Sequence, residues 1–551
     1  MNSPLPPHYY LDNFCFLLNW VTRHHHDLLN DEEQAFAQKF HQLDRDSQCL
    51  LVRMISRKGP RFRAHKLCYA EITNQQQALD KLIEHRLISD DFTLSIEELV
   101  SLLTKPELVL LFDEQLCPYK QQSKQHLAQF LSDIYSGDSN AMNWSAWTRH
   151  QLGHCYQLNV QHIHNTFMLL FFGNAYQDLT EFVLQDLGLL RYESYQVDAS
   201  HRVFKNREEI HHYQQLIQLR EQLALANDID DLQQLLPLLP EQSSNPRLER
   251  RRARFINQLA YQFERKGQIE TALSLYKQVV LPPARERQIR ILEKRGKLDQ
   301  AWQLMGELIA NPINEQELQI NTRIHARLAK KRGEKIEKSQ QTKTLTRTLL
   351  LTRQPLADGS QMNVEEVTRL HFDTAEAPCF YVENQLFNSL FGLWLWPEVY
   401  RSIDGAFAHP FQIAPLDLFE HDFQQKRELQ ALWQLFETEN HALHIETIWQ
   451  TKYGVTNPFV SWSLMDENVL QLALSCIPAQ HLAAIFKRLL FDIKTNRSGL
   501  PDLIQFFPKQ RSYRLIEVKG PGDRVQDNQQ TWLNFFCQQG IPAEVCYVSW
   551  Q

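Results

Sequence analysis

The stretch from Gly499 to Gly522, GLPDLIQFFPKQRSYRLIEVKGPG, contains two short apolar runs separated by a polar break. The runs 503–507 and 513–518 are rich in Ile, Val, Phe and Tyr, and the break contains Pro, Lys, Gln, Arg and Ser. This pattern predicts two strands of a hairpin. Glu517 and Lys519 are two residues apart, so we expect both side chains to leave the same face of the second strand.

Asp502 follows Pro501 directly before the first run, so the predicted hairpin brings a second carboxylate close to Glu517. Pro-Asp followed by Glu-x-Lys is the PD-(D/E)xK pattern of metal-dependent nucleases. Hard divalent ions prefer oxygen ligands, which Asp502, Glu517 and the Val518 carbonyl can supply. Such an ion neutralises phosphate charge and lowers the pKa of a bound water from about 16 toward 7. Lys519 would orient that water or stabilise developing negative charge. Alternatively, Glu517 and Lys519 form a solvated charge pair.

Longer blocks of sequence around this pattern resemble the VRR-NUC domain of the Fanconi-associated nuclease family. They are GLPDLIQF (499–506), LIEVKGPGDRVQDNQQTWL (515–533) and GIPAEVCYV (540–548), in the family's order. Upstream, YVENQLFNSLFGLWLW (381–396) is similar to the family's earlier helix, whose glutamate supplies a further metal ligand. The resemblance therefore implies that Glu383 joins the ligand set and that the ion is Mg²⁺ or Mn²⁺, with no other small-molecule cofactor. The alternative for Glu383 is a glutamate favoured by a helix N-terminus.

Basic residues flank the predicted hairpin on both sides. Family members use basic residues just before it to hold a 5′-terminal phosphate, and Lys494 and Arg497 are the candidates here. Nonspecific contact with the DNA backbone is the alternative for both. Arg524 follows the hairpin, matches the family and is a further candidate for DNA contact. The neighbouring Asp523 either orients a water at the metal or caps the next helix.

The composition indicates an ordinary globular protein of several domains, with 551 residues, 43% of them hydrophobic and 22% charged. Its nine cysteines include no C-x-x-C pair, which argues against a disulfide framework and a zinc ribbon. No apolar run reaches the roughly 18 residues of a membrane span, and the first residues lack a basic start with an apolar core. We therefore expect a cytoplasmic location (at the nucleoid in a bacterium) and no membrane partner.

A net charge of −7 does not exclude DNA as the partner, because phosphate binding needs only local basic patches. One such patch surrounds Gly59-Pro60 between two apolar helices. A solvated helix face is the alternative for this patch, but its position at a turn favours DNA contact. The candidate contacts are Arg53, Arg57, Lys58, Arg61 and Arg63.

Two short helices joined by a basic loop are predicted near residue 120. Thr104 and Glu107 have the spacing of a capping box that opens the first helix. Lys120 and Lys124 lie between this helix and the next. The arrangement resembles the SAP-type DNA-binding element of the same family, so both lysines are candidate DNA contacts, although ordinary helical hairpins have similar sequences.

An internal repeat with an offset of 29 residues aligns 264–276 with 293–305. Gly267 and Gly296 stand at the predicted turns, and Ala272 and Ala301 at the predicted close helix crossings. These features are typical of stacked helix pairs of the tetratricopeptide (TPR) type. In the resembling family this part links the DNA-binding and nuclease parts.

We therefore expect a multidomain, mainly α protein with a C-terminal α/β nuclease core of the PD-(D/E)xK (VRR-NUC) type. The expected function is that of a metal-dependent, structure-selective nuclease acting on 5′-flap, branched or crosslinked DNA, as an endonuclease and 5′-to-3′ exonuclease. A Holliday-junction resolvase and a non-catalytic repair scaffold are the alternatives. The expected domains are an N-terminal helical DNA-binding region (1–70), a SAP-like domain (71–215), a TPR-like linker (216–350) and the nuclease domain (351–551).

Overall fold

The computed structural model describes residues 6–57, 59–135, 141–179, 190–334, 344–355 and 360–551. The chain divides into two units, residues 1–190 and 191–551. The expected domain borders after residues 70, 215 and 350 stay predictions. Within the described ranges, no single helix has the length and apolarity to cross a membrane. The helices Glu467–Cys476 and Ala479–Phe491 have the required length and apolarity only when they are taken together, and they are separated by a bend of 106°.

The first unit is mainly helical, with two small antiparallel sheets. Strands β1 (Arg61–Arg63), β2 (Ile88–Ser89) and β5 (Cys155–Leu158) pair in the order β1-β5-β2, while β3 (Thr93–Leu94) pairs with β4 (Met142–Asn143). The predicted capping box at Thr104 is confirmed. Helices of this unit are Tyr9–His24, Asp31–Gln42, Arg45–Ile55, Gln75–Glu84, Ile96–Leu102, Lys105–Leu111, Asp113–Leu116, Lys124–Ile134, Trp144–Thr148 and Gln161–Phe172.

The second unit begins with stacked helices that confirm the predicted repeat. Gly267 and Gly296 close equivalent turns with φ of 80° and 73°, a left-handed conformation that glycine adopts without steric cost. Ala272 and Ala301 are fully buried at equivalent positions in the second helix of each pair. The helices of this part are Arg207–Leu225, Ile229–Gln234, Pro246–Arg265, Ile269–Tyr276, Ala284–Lys294, Leu298–Ala310 and Glu315–Arg332.

The C-terminal part of this unit is built on a mixed sheet, which among the described residues has the order β6-β10-β9-β8-β7. β10 runs parallel to both β6 and β9, while β8 runs antiparallel to β9 and β7. The predicted hairpin is confirmed, because β8 and β9 pair directly. The strands are β6 (Leu345–Leu351), β7 (Cys379–Tyr381), β8 (Leu503–Phe507), β9 (Ser512–Lys519) and β10 (Ala543–Trp550).

Helices cover the sheet and bury a large hydrophobic core cluster with it. The Leu386–Val399 helix is apolar on all sides and almost completely buried, as expected for a helix in the middle of a core. The segment that leads into it carries Glu383. The remaining helices are Val364–Phe372, Leu429–Glu437, His441–Lys452, Glu467–Cys476, Ala479–Phe491, Ile493–Asn496 and Asp527–Gln538.

Candidate active site

The hairpin brings three of the predicted site residues together. Leu503 pairs with Ile516 across β8 and β9, so extending the register by one residue places Asp502 opposite Glu517. The backbone N–H of Val518 donates to Asp502 Oδ2 at 2.8 Å, which fixes that carboxylate against β9. Lys519 Nζ donates to Glu517 Oε1 at 2.6 Å. The two side chains leave the same face of β9, as the sequence predicts.

These three side chains are buried, which bears on the alternative that Glu517 and Lys519 form a solvated charge pair. Glu517 is 1% exposed, Asp502 6% and Lys519 8%. Water solvates the charges of an exposed ion pair, whereas moving several charged groups out of water has a large desolvation cost. The solvated-pair alternative for Glu517 and Lys519 is therefore wrong.

Burial also changes the acidity of both carboxyl groups. It raises the pKa of Asp502, and the negative charges of Glu383 and Glu365 raise it further. Burial raises the pKa of Glu517 as well, with the charge of Asp502 as the next cause, while Lys519 opposes the shift. Both carboxyl groups thus hold protons at a higher pH than ordinary acids do. A nearby cation would favour their ionised forms.

Glu383 lies in the turn between β7 and the Leu386–Val399 helix, not inside the helix. β7 pairs with β8, and the Val382 N–H donates to the Asp502 carbonyl at 2.8 Å. The Glu383 carboxylate accepts hydrogen bonds from the Tyr381 hydroxyl and, at 3.2 Å, from Asn384 Nδ2. Its charge helps to raise the pKa of both Asp502 and Glu517. Glu383 therefore acts electrostatically on the same cluster.

The oxygen ligands offered by Asp502, Glu517 and Glu383 suit a hard divalent ion, although the three carboxylates do not converge on one point. Within the described ranges, no three side chains among His, Cys, Asp and Glu converge closely enough to hold a metal. One oxygen of Asp502 is held by Val518 and one of Glu517 by Lys519. Glu517 Oε2, however, is buried and accepts no hydrogen bond. A buried carboxylate oxygen without a donor fits a cation ligand, and oxygen-only ligands match Mg²⁺, Mn²⁺ or Ca²⁺ chemistry.

The sequence prediction missed Glu365, whose charge acts on Asp502, and it left two roles open for Asp523. Glu365 lies in the first turn of the Val364–Phe372 helix, where an acidic residue after the Asn363 N-cap is the usual helix start. Asp523 accepts from the Gly520 N–H at 3.0 Å, so it closes the turn after Lys519 and does not cap the next helix. Gln526 caps that helix. The spacing of residues in the sequence indicates neither the position of Glu365 beside the cluster nor the contact of Asp523 with Gly520.

Most of the basic patch around Gly59 has internal partners, so the prediction of DNA contact is wrong for Arg63. Its guanidinium is buried and lies 2.5 Å from Glu107. Arg53 pairs with Glu71 and stacks on the Tyr10 ring at 3.9 Å. Arg61 is largely buried and pairs with Glu98 at 3.0 Å.

The other candidate DNA contacts have more accessible side chains. Arg57 is exposed and donates to the Lys66 carbonyl and the Tyr69 hydroxyl. Lys58 lies outside the described residues. Lys120 is exposed and pairs with Asp113 at 2.6 Å, whereas Lys124 is half-buried at the start of its helix. Lys494, Arg497 and Arg524 are exposed in the second unit.

Comparison with known proteins identifies the family. The chain is 39% identical over 554 residues to the Fanconi-associated nuclease 1 homolog of Pseudomonas aeruginosa. The alignment covers 100% of this chain and 98% of that protein. The chain belongs to the Fanconi-associated nuclease 1 family. Three family models match: the FAN1 HTH domain at residues 8–89, the Fanconi anemia-associated nuclease SAP domain at 93–147 and the VRR-NUC domain at 437–550.

Members of the Fanconi-associated nuclease 1 family from other sources extend the similarity. An Arabidopsis thaliana homolog is 25% identical and covers 97% of this chain and 66% of its own length. The crystal structure of paFAN1 bound to DNA with a two-nucleotide 5′ flap and a gap matches this chain with a TM-score of 0.83 and 38% identity. The match covers 100% of this chain and 99% of the paFAN1 chain. The predicted family and fold class are confirmed. As a family member with a VRR-NUC domain, the chain is a structure-selective, divalent-metal-dependent DNA nuclease.

Proposed function

We propose that this nuclease uses Mg²⁺ or Mn²⁺ to cut the DNA strand that bears a 5′ flap or 5′ end, a short way into the duplex, during repair of interstrand crosslinks. The proposal is supported by similarity along the whole chain to paFAN1, whose structures contain 5′-flap DNA. The chain also carries the SAP and nuclease parts of that family together. A lone VRR-NUC domain would lack the former.

In this proposal Glu383, Asp502, Glu517 and the Val518 carbonyl hold the ion. The carrying observation is the buried Glu517 carboxylate, whose Oε2 has no hydrogen-bond donor while Lys519 holds Oε1. A divalent ion held by these residues would supply charge neutralisation at the phosphate and a more acidic water. The Lys519 ammonium, which donates to Glu517 Oε1, would orient the attacking water or donate to the developing negative charge.

Replacing Lys519 by Ala should lower the rate of flap cutting by about 10²–10³-fold, because a preorganised donor to the transition state is removed. The measurement is the single-turnover rate on a 5′-flap substrate with Mn²⁺. A four-way junction serves as the second substrate, since symmetric junction cutting would favour the resolvase alternative. Lys509→Ala is the matched control, because Lys509 is an exposed lysine that pairs with Glu376 at the hairpin tip. Wild-type rates in the Lys519→Ala protein would end the assignment of this site.

We further propose that Lys494 and Arg497 bind the 5′-terminal phosphate. Lys494 lines a cavity of 580 Å³ together with Arg254 and His421. Arg497, three residues farther on, lies 5.5 Å above the ring of Phe419, which also lines this cavity. Arginine and lysine donate strong charge-assisted hydrogen bonds to phosphate oxygens. Arg254 and Lys494 thus bring two cationic side chains to this cavity, alongside the acids Glu420 and Asp492.

Lys494→Ala should slow cutting of a 5′-phosphorylated strand by about tenfold, because one charge-assisted hydrogen bond contributes about 1.5 kcal/mol or more. The same substrate with a 5′-hydroxyl should be cut equally by both proteins. Competition between the two substrates measures the preference in one reaction, with Lys509→Ala as the control. Equal slowing on both substrates would show that Lys494 contacts the DNA backbone generally, as the alternative interpretation states.

A further inference from the structure

The turn that carries Glu383 contains an asparagine in an unusual backbone conformation. Asn384 has φ of 53°, in the left-handed region that a non-glycine residue adopts only at a cost. Asparagine tolerates this region better than most residues, and such conformations concentrate at functional sites. Glycine would satisfy the backbone equally well. The side chain of Asn384 therefore needs its own explanation.

The side-chain amide of Asn384 links Glu383 to the segment that precedes Asp502. Its Nδ2 donates to Glu383 Oε1 at 3.2 Å, and its Oδ1 accepts from the Leu500 N–H at 3.0 Å. Leu500 lies two residues before Asp502. A flipped amide would place oxygen against the carboxylate and NH₂ against the backbone N–H, so only one orientation satisfies both partners. One planar group thus fixes the Glu383 carboxylate relative to the segment that leads into β8.

Hydrogen bonds from Val382 and Asn388 also hold this turn, against residues 497–502. The Val382 N–H donates to the Asp502 carbonyl at 2.8 Å. Asn388 Nδ2 donates both to the Asn384 carbonyl at 2.6 Å and to the Arg497 carbonyl at 2.8 Å. None of these hydrogen bonds uses the Asn384 side chain, so the turn should keep its geometry without it. What the amide adds is the direction of the Glu383 carboxylate, whose other oxygen is held by the Tyr381 hydroxyl.

We propose that Asn384 is a positioning residue for the metal site, because its amide holds the Glu383 carboxylate in register with Asp502. The proposal rests on the role of Glu383 as a ligand, proposed above. Groups that orient metal ligands through hydrogen bonds typically change metal affinity by 10–100-fold when they are removed. Since hydrogen bonds from Val382 and Asn388 hold the turn itself, the change should appear in metal binding and not in folding.

The test compares Asn384→Gly with Glu383→Gln and the wild type in the full chain. Asn384→Gly keeps the left-handed backbone and removes both side-chain hydrogen bonds. Mn²⁺ binding is measured calorimetrically without DNA, and cutting rates are measured as a function of Mn²⁺ concentration. We expect about tenfold weaker binding and about a tenfold higher half-saturating Mn²⁺ concentration, with a rate at saturating Mn²⁺ within about twofold of wild type. A purely structural role would lower the saturated rate or the melting temperature instead.

Glu439→Gly is the matched control, because Glu439 is an exposed residue of the same unit with φ of 55°. It relieves the same backbone conformation away from the cluster and should leave Mn²⁺ binding unchanged. If Glu383→Gln weakens binding and Asn384→Gly does not, the positioning role is refuted while the ligand role stands. If neither change weakens binding, Glu383 is not a ligand and the proposed ion site fails with it.

Discussion

Asp502→Asn protein without metal should unfold at a higher temperature than the wild type at about pH 8, and it should no longer cut DNA. Burial raises the pKa of Asp502, so the folded state binds a proton more tightly than the unfolded state does. The stability that comes from this proton is present at low pH and is lost as the pH rises through the raised pKa. At about pH 8 the wild type therefore carries a poorly solvated carboxylate beside Glu517 and Glu383. Asparagine cannot ionise, and its Oδ1 can still accept from the Val518 N–H.

The gain should be on the order of 1–3 kcal/mol, because one unit of pKa shift corresponds to about 1.4 kcal/mol. Thermal unfolding in chelator at about pH 8 and about pH 5 measures it, and the gain should shrink at the lower pH, where wild-type Asp502 is largely protonated. Mn²⁺ should stabilise the wild type at the higher pH and the variant much less, because an ion that binds only the folded state stabilises it. Cutting should fall by at least about 10³-fold.

Glu376→Gln is the control for the loss of a carboxylate charge, because Glu376 is an exposed acid paired with Lys509 at the surface. It should change neither the pH dependence nor the response to Mn²⁺. A wild-type melting profile for Asp502→Asn at both pH values would mean that burial does not strain this carboxylate. Retained cutting would remove Asp502 from the site.

The hairpin and its carboxylates were predictable because their signals are local. Apolar runs with a proline break give β8 and β9, and the period of two along a strand places Glu517 and Lys519 on one face. Their burial was not predictable, because it depends on helices from distant parts of the chain that cover the sheet. The direction of Glu383 was not predictable either, since it depends on the left-handed turn at Asn384 and on hydrogen bonds to Tyr381 and Leu500.

The basic patch shows the opposite limit, because a dense local signal led to a prediction of DNA contact that is wrong for the buried Arg63. Arg53, Arg61 and Arg63 are close in sequence, but their partners Glu71, Glu98 and Glu107 come from later helices and loops. Charge density in a sequence counts cations without counting the acids that fold against them. Burial and ion pairing in the folded chain therefore decide which basic residues remain available to phosphate.

Gly392→Ala should destabilise the second unit, because this glycine lies where the Leu386–Val399 helix touches a neighbouring segment. A Cβ at this position would lie 2.6 Å from Phe459 Cβ, 3.0 Å from Asn457 Oδ1 and 3.1 Å from Val460 Cγ2. The first contact involves an atom bonded directly to the backbone, so rotation of a side chain cannot relieve it. Overpacking of this kind costs about 1–3 kcal/mol even though alanine favours helices by about 1 kcal/mol.

Gly306→Ala is the matched control, since Gly306 lies inside the Leu298–Ala310 helix and a Cβ there would meet nothing within 4 Å. Alanine should stabilise that helix, so the two substitutions should shift the melting temperature in opposite directions. We expect the clash to affect the candidate active site as well, because the Ser461 N–H donates to Ser389 Oγ at 2.9 Å in the first turn of the Leu386–Val399 helix. Displacing residues 457–461 would move this turn and the adjoining Glu383. Cutting by Gly392→Ala should therefore need more Mn²⁺ even below its melting temperature, whereas a loss of stability with unchanged Mn²⁺ dependence would show that the packing error does not reach the carboxylates.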